Sequence, residues 1–357
     1  MSRYVIDKKL LEENIKLIKD KAGVPLIGVV KGNGYGFGIQ EFSTVLKENG
    51  IKTFAVTEVD DIAELKEVLD NEDILVMRST CIEDEARLVA ENGCIATIGS
   101  LNSAEVMDKV SKDLGVKTKC YLKIDTGMGR YGFMPSEVES AIRCYDFENL
   151  DFIGAYTHFS SAFTNTELTK AQLALFKDTM AQIEKAGKKV GILHAANSPA
   201  LLNVSDVCLD SVRVGSAFTG RVITQSKTKL NRIGRLEAEV IEIKTVPAGY
   251  SVGYNGLYKT KRETKIAIVP IGHYDGFGLA KEKETADLRS VLSQLKKYLN
   301  KKQMYVKIEG RMYSVIGEIG LSHTAVDVTD SDVKIGDTAS VDISPLMVNP
   351  RIKRVYE

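Results

Sequence analysis

The apolar run "LIGVV" stops at Lys31, and beyond it Gly32, Gly34, Gly36 and Gly38 alternate with Asn33, Tyr35 and Phe37. An amine held in a partly apolar pocket loses its proton more easily, and the neutral form attacks carbonyls. On its own, Lys31 reads equally well as a strand-end lysine whose stem snorkels. Other polar groups fall in comparable places. Arg130 follows "CYLKID", His158 ends "FIGAYTH", Asn197 and Ser198 follow "GILHAA", and Arg213 sits inside "SVRVG". Singly, an arginine is an ion-pair partner and a histidine a hydrogen-bonded structural residue. Six such groups at the ends of apolar runs point to a site. Lysine imine chemistry with pyridoxal phosphate also needs phosphate donors. "NSPA" and "RVGSA" offer them, through the Ser198 hydroxyl and the backbone N–H groups of Gly215 and Ser216.

These side chains need a scaffold that gathers strand ends. Eight short apolar runs occur in the first two thirds: "LIGVV", "FAVT", "DILVMR", "CIATIG", "CYLKID", "FIGAYTHF", "GILHAAN" and "SVRVG". Between most of them lie stretches of helical period such as "ELTKAQLALFKDTMAQIEKAG". Runs apolar on both faces, alternating with helices, imply a parallel sheet. Eight units over roughly 225 residues make a (β/α)₈ barrel, whose chemistry sits where strands end and loops begin. A doubly wound sheet is the alternative, but "VKGNGYGFG" lacks the G-x-G-x-x-G order of a dinucleotide turn. Past Arg221 the texture changes to alternating strands such as "RLEAEVIEIKTV" and "TKIAIVPIG", a mostly antiparallel β domain. The expected fold is therefore α/β: a TIM-type barrel over 1–225 and a C-terminal β domain over 226–357. One helical exception is "TADLRSVLSQLKKYLNKK", where Leu288, Val291, Leu292, Leu295 and Leu299 share a face.

The 357 residues carry 48 basic and 48 acidic side chains, which gives no attraction to nucleic acid or an anionic membrane. No apolar stretch is long enough to span a bilayer, and the start, "MSRYVIDKKLLEENIKLIKD", reads as a charged amphipathic helix. Cys81, Cys94, Cys120, Cys144 and Cys208 are scattered without metal-ligand spacing. They read as reduced thiols of a cytoplasmic protein, and no metal is expected.

"VVKGNGYGFG" resembles the lysine-bearing cofactor motif of bacterial alanine racemases, V-V-K-A-N-A-Y-G-H-G. "KIDTGMGRYGF", "THFSSA", "HAANSPA", "VRVGSAFTG" and "VPAGYSVGYNGLY" are similar to further motifs of that family, in the family's order. The likeness covers nearly the whole chain. It implies a fold-type III pyridoxal-phosphate enzyme: a cofactor barrel, a C-terminal β domain and a head-to-tail homodimer with shared active sites. The implied activity is racemisation of a small amino acid, alanine first. Lys31 would hold the cofactor and act as one acid–base group, and Tyr254, reaching into the neighbouring subunit, would be the other. Two are needed because each face of a planar carbanion requires its own proton carrier. Tyr35, Ser198, Gly215 and Ser216 would reach the phosphate, and Arg213 the pyridine nitrogen. Asn197 and His158 would complete the cofactor site, with His158 and Arg213 easing deprotonation of the tyrosine. Arg130 would bind the substrate carboxylate, and Lys123 matches a position carbamylated in many relatives.

The departures from the family pattern cluster at the substrate entrance. "GHYDGFGL" puts His273 and Leu279 where relatives carry tyrosine and arginine. "GEIGLSH" puts Glu318, Leu321 and Ser322 in place of G-R-x-x-M-D, with Leu321 at a substrate-contacting position. Asn349 and Pro350 replace a gating tyrosine. An entrance with fewer cations and one new acid favours anions less, and serine or a basic amino acid such as lysine or ornithine are the alternative substrates. A pyridoxal-phosphate decarboxylase would need an acid at Arg213 and a cysteine after Cys208. A non-catalytic cofactor carrier would lack the domain that bears Tyr254.

Overall fold

Each of the eight apolar runs becomes a parallel strand. This computed structural model describes residues 2–357 except 223, 225, 227, 257 and 280–302, so the helical segment expected at 285–302 lies outside the described residues. The chain divides into two compact units, Lys8–Ile233 and Met1–Asp7 with Gly234–Glu357.

The first residues depart from the amphipathic-helix reading. A strand, β1 (Arg3–Ile6), precedes a helix confined to Lys8–Ala22. Tyr4, Val5 and Ile6 are all fully buried. A strand paired on both edges and covered on both faces accepts three successive apolar residues, whereas a single helix face does not.

In the first unit the strands are β2 (Leu26–Val29), β3 (Thr53–Val56), β4 (Asp73–Ser79), β5 (Ile95–Ile98), β6 (Thr118–Lys123), β7 (Leu150–Tyr156), β8 (Ile192–His194) and β9 (Val212–Val214). Each pairs in parallel with its successor from β2 to β8, and β9 returns to pair with β2. A bridge between His194 and Ser211 closes the ring. Ile27, Val29, Ala55, Leu75, Ile95, Tyr121 and Tyr156 pack together in one core cluster. Helices supply the outer layer: Lys8–Ala22 buries Leu11, Ile15 and Ile18, and Ile39–Glu48 buries Phe42, Val45 and Leu46. Each such side chain contributes about 1.5–3 kcal/mol on burial.

The second unit adds β10 (Gly234–Glu239), β11 (Glu242–Val246), β12 (Ser251–Val252), β13 (Tyr258–Lys259), β14 (Thr264–Val269), β15 (Tyr305–Ile308), β16 (Arg311–Ile316), β17 (Thr324–Asp327), β18 (Thr338–Val341) and β19 (Lys353–Tyr356). Its main sheet runs β11-β14-β17-β16-β15-β18-β10-β1-β19 and is antiparallel except where β1 meets β19. The small β12–β13 ribbon carries Tyr254 in its turn.

Candidate active site

The chain leaves β2 through a turn of opposite hand. Gly32, Asn33, Gly34, Tyr35 and Gly36 follow one another at φ 64, 53, 60, 57 and 84°. A side chain in that region costs about 1–2 kcal/mol per residue, and glycine escapes the cost. Three of the five positions are glycine. Asn33 is compensated locally, because its Oδ1 accepts the Ile39 N–H at 2.8 Å and its carbonyl accepts the N–H groups of Gly36 and Gly38. Tyr35 bears the strain, offset by packing against the barrel's core cluster. The turn places Lys31 and Tyr35 on the same cavity.

That cavity, of about 170 Å³, is lined by Lys31, Tyr35, His158, Asn197, Ser198, Arg213, Gly215 and Ser216 together with Val29, Met77 and Pro199. The eight polar and glycine positions singled out from the sequence thus meet in one place. Arg213, 2% exposed, is fixed by five bonds. Its Nη1 donates to His194 Nδ1 at 2.5 Å and to the His194 carbonyl at 3.2 Å. Its Nη2 donates to the carbonyls of Thr157 at 2.7 Å and Ala195 at 3.0 Å, and to His158 Nδ1 at 3.4 Å. All these bonds leave from the Nη groups. The guanidinium also lies over the Tyr156 ring, 4.9 Å from its centroid. Burial lowers its pKa to about 10, so it remains a cation and donor at neutral pH.

At the other end, Ser198 Oγ accepts the N–H groups of Gly215 at 3.1 Å and Ala217 at 3.3 Å. Asn197 caps the short helix Ser198–Asn203 by accepting the Ala200 N–H at 3.1 Å. Its amide nitrogen lies 3.5 Å from His158 Nε2. Residue 215 must be glycine for the closest of reasons: a Cβ there would sit 2.4 Å from the Tyr35 hydroxyl oxygen.

The electrostatics of the cavity are one-sided. Burial lowers the Lys31 pKa, the charges of Arg130 and Arg213 lower it further, and Glu58 opposes them. His158 is held far below its ordinary value by burial and by Arg213, Lys123, Arg130 and Lys31, so its ring is neutral. His194 is neutral for the same leading causes, burial and then Arg213. Lys123, at the end of β6, is 4% exposed. Its Nζ donates to the Ile124 carbonyl at 3.2 Å and lies 4.8 Å from the Tyr156 ring centroid. Burial first and Arg213 second push its pKa well down, against Asp125. Such a concentration of cations suits a phosphate and a carboxylate.

Arg130 does not line the cavity. It stands exposed on the loop that leaves β6, and its charge is one of those that lower the pKa of Lys31 and of His158. In the second unit, Tyr254 (70% exposed) and Leu321 (66% exposed) share a cleft of about 410 Å³ with Glu318, Ser322 and Lys244. His273 donates from Nδ1 to the Phe277 carbonyl at 2.9 Å, and Leu279 is exposed. Asn349 donates to the Tyr274 carbonyl at 3.3 Å and accepts the Arg351 N–H at 3.0 Å.

Family models built for alanine racemases match both parts of the chain, the N-terminal domain over residues 6–222 and the C-terminal domain over residues 233–345. The chain belongs to the alanine racemase family. The alanine racemase of Methanococcus maripaludis is 31% identical over 346 residues, 94% of this chain and 87% of the relative. That of Desulfosudis oleivorans is 29% identical over 350 residues, 93% and 85% of the two chains. Among solved structures, the alanine racemase of Clostridium difficile 630 superposes with a TM-score of 0.87 at 26% identity, covering all of this chain and 95% of that one. The Bartonella henselae alanine racemase, with covalently bound pyridoxal phosphate, shares the fold at 24% identity with a TM-score of 0.80 over 100% of this chain and 99% of its own. The alanine racemase family is an isomerase family that depends on pyridoxal phosphate, and this chain is one of its enzymes. No described helix is long and apolar enough to cross a membrane.

Several residues around the racemase cavity had no sequence signal of their own. Met77 and Val29 form its apolar wall. Beneath them, the Tyr156 hydroxyl bonds to Thr97 Oγ1 at 2.9 Å and donates to the Met77 carbonyl at 3.0 Å, while His194 stacks on the Tyr156 ring. His194 does end an apolar run just as His158 does, and that shared position was the available clue.

Proposed function

We propose that this enzyme interconverts L- and D-alanine, with Lys31 and Tyr254 of the partner subunit as the two proton carriers in a homodimer. The observation that carries the reading is the convergence of Lys31, Tyr35, Ser198, Gly215 and Arg213 on one electropositive cavity at the strand ends. These residues fit pyridoxal phosphate: a depressed amine for its aldehyde, and the Tyr35 hydroxyl, the Ser198 hydroxyl and the backbone at Gly215 and Ser216 for its phosphate. When bound, the cofactor supplies an electron sink that makes the substrate's Cα–H acidic. Arg213 would donate an N–H hydrogen bond to the ring nitrogen without giving up the proton, and so would keep that sink weak. Lys31 exchanges the proton on one face of Cα, and the tyrosine hydroxyl exchanges it on the other. Arg130 receives the substrate carboxylate, and carbamylation of Lys123 would place an anion beside it. Burial and the neighbouring Arg213 lower the Lys123 pKa, which favours the neutral amine that carbamylation requires.

Glu318 favours a second reading. It lines the cleft that holds Tyr254 and Leu321, and a carboxylate there suits the side-chain cation of lysine or ornithine. The test is incubation of the holoenzyme with each L-amino acid in turn, followed by chiral chromatography. Fastest conversion of alanine supports the first reading and fastest conversion of a basic amino acid the second. Conversion of none contradicts both.

A further inference from the structure

One buried amide joins the loops that carry Arg130 and His158. Gln172 lies on the helix Thr166–Lys185, on the face that also buries Leu173, Phe176 and Met180, and is 2% exposed. An amide on such a face costs free energy unless its polar atoms are answered. They are answered from two directions. Nε2 donates to the Thr126 carbonyl at 3.2 Å, and Oε1 accepts the Ser160 N–H at 3.2 Å and the Ser160 hydroxyl at 3.4 Å. Turning the amide over would set an N–H against an N–H and an oxygen against an oxygen, so only one orientation works. The Thr126 and Thr157 hydroxyls bond along the same seam at 2.8 Å.

Thr126 opens the loop of Arg130. Among the described residues that loop is otherwise bonded to itself: the Asp125 carboxylate accepts the N–H groups of Gly127 at 2.9 Å, Met128 at 2.7 Å and Arg130 at 3.0 Å. Its neck is closed by two backbone bonds, from the Asp125 N–H to the Phe133 carbonyl at 2.8 Å and from the Phe133 N–H to the Lys123 carbonyl at 2.9 Å. These bonds set the loop's shape but not its tilt over the barrel mouth. Ser160 follows His158 by two residues, and His158 is itself tied to Arg213 and Asn197.

We propose that Gln172 is a positioning residue, which fixes the tilt of the Arg130 loop against the His158 loop and so the place where a substrate carboxylate is bound. The inference rests on the reading of Arg130 as the partner of that carboxylate. Gln172 lines neither the cavity nor the cleft and acts only through the loops it joins. Displacements near 1 Å cost up to about a hundredfold in such sites, and loss of one of two tethers is expected to cost about tenfold.

Propionate, a carboxylate without the amine, is the probe. Its inhibition constant is measured on holoenzyme of the parent, Gln172→Leu, Arg130→Ala and the double variant. The expected result is that Gln172→Leu weakens propionate, and raises KM for alanine, by about tenfold, with kcat and pyridoxal phosphate affinity changed less than about twofold. In the Arg130→Ala background the same substitution should change propionate binding by less than about twofold, because the two residues act as one unit. Unchanged propionate binding in Gln172→Leu, or an equal loss in both backgrounds, overturns the inference alone. Unchanged binding in Arg130→Ala overturns the role of Arg130 and the inference with it. Should Gln172→Leu fail to fold, Gln172→Met carries the same comparison, since it keeps the side chain's unbranched length and removes both the donor to Thr126 and the acceptor from Ser160.

Discussion

Arg213 and Gly215 show how little freedom the residues of this site have. The guanidinium gives its Nη donors to three carbonyls and two imidazoles, so its orientation is set before any ligand arrives. On the proposed reading, a permanent cation facing the cofactor's ring nitrogen would leave that nitrogen unprotonated and mute the electron sink, guarding against transamination. Arg213→Glu should therefore raise the pyruvate formed per alanine racemised, read by coupling to lactate dehydrogenase, and an unchanged ratio would count against this role. The same substitution strands buried carbonyls and should destabilise the barrel by about 1–3 kcal/mol for each group left unsatisfied. Gly215→Ala acts differently. Its new Cβ would lie 2.4 Å from the Tyr35 hydroxyl and must push that side chain aside. Affinity for pyridoxal phosphate should fall on the order of tenfold, about 1.4 kcal/mol, in a fluorescence titration.

At the scale of elements, the turn after β2 decides where the lysine points. It keeps five successive residues in left-handed conformation, and this chain has glycine where the family motif has alanine at positions 32 and 34. Gly32 has open space around its missing side chain, so Gly32→Ala meets backbone strain alone and should cost about 1 kcal/mol in urea denaturation. Gly34→Ala should cost more, because its Cβ would also approach the Phe42 Cβ at 3.2 Å. Much at this scale was legible in advance. A parallel strand covered on both faces leaves a continuous apolar run, and all eight runs are strands of the ring. Lys31, His158, Asn197, Ser198 and Arg213 were visible because they interrupt or end those runs. Other features left no local mark. β1 depends on partners more than 200 residues away, Gly234–Glu239 and Lys353–Tyr356, so its apolar triplet was absorbed into the helix that follows it. Gln172 looked like an ordinary helix residue because Thr126, its partner, is 46 positions distant. Tyr254 and Leu321 stood out only by resemblance, since a turn aromatic and an exposed leucine carry no chemistry by themselves.

For the whole molecule, buried neutral histidines make stability depend on pH. His194 is fully buried, stacked on Tyr156 and bonded to Arg213, and its Nε2 has no hydrogen-bond partner among the described residues. Its folded pKa lies well below the ordinary value of 6.5. Between those two values the unfolded chain holds the extra proton, so stability is lost as pH falls below about 6.5, at up to about 1.4 kcal/mol per pH unit. His194→Gln should flatten the cofactor-free protein's denaturation midpoints between pH 6.5 and 5, whereas an unchanged slope would show that His194 is not the group responsible. Sharing of sites between subunits has its own test. Mixing inactive Lys31→Ala and Tyr254→Phe proteins should restore partial activity, because one of the two sites in a hybrid dimer is intact.

The proposed chemistry depends most directly on the amine that ends the first barrel strand. Holoenzyme reduced with borohydride and digested should yield one pyridoxyl-labelled peptide, carrying the label on Lys31. A label on another lysine, or none at all, would contradict the assigned chemistry even though the barrel itself would stand.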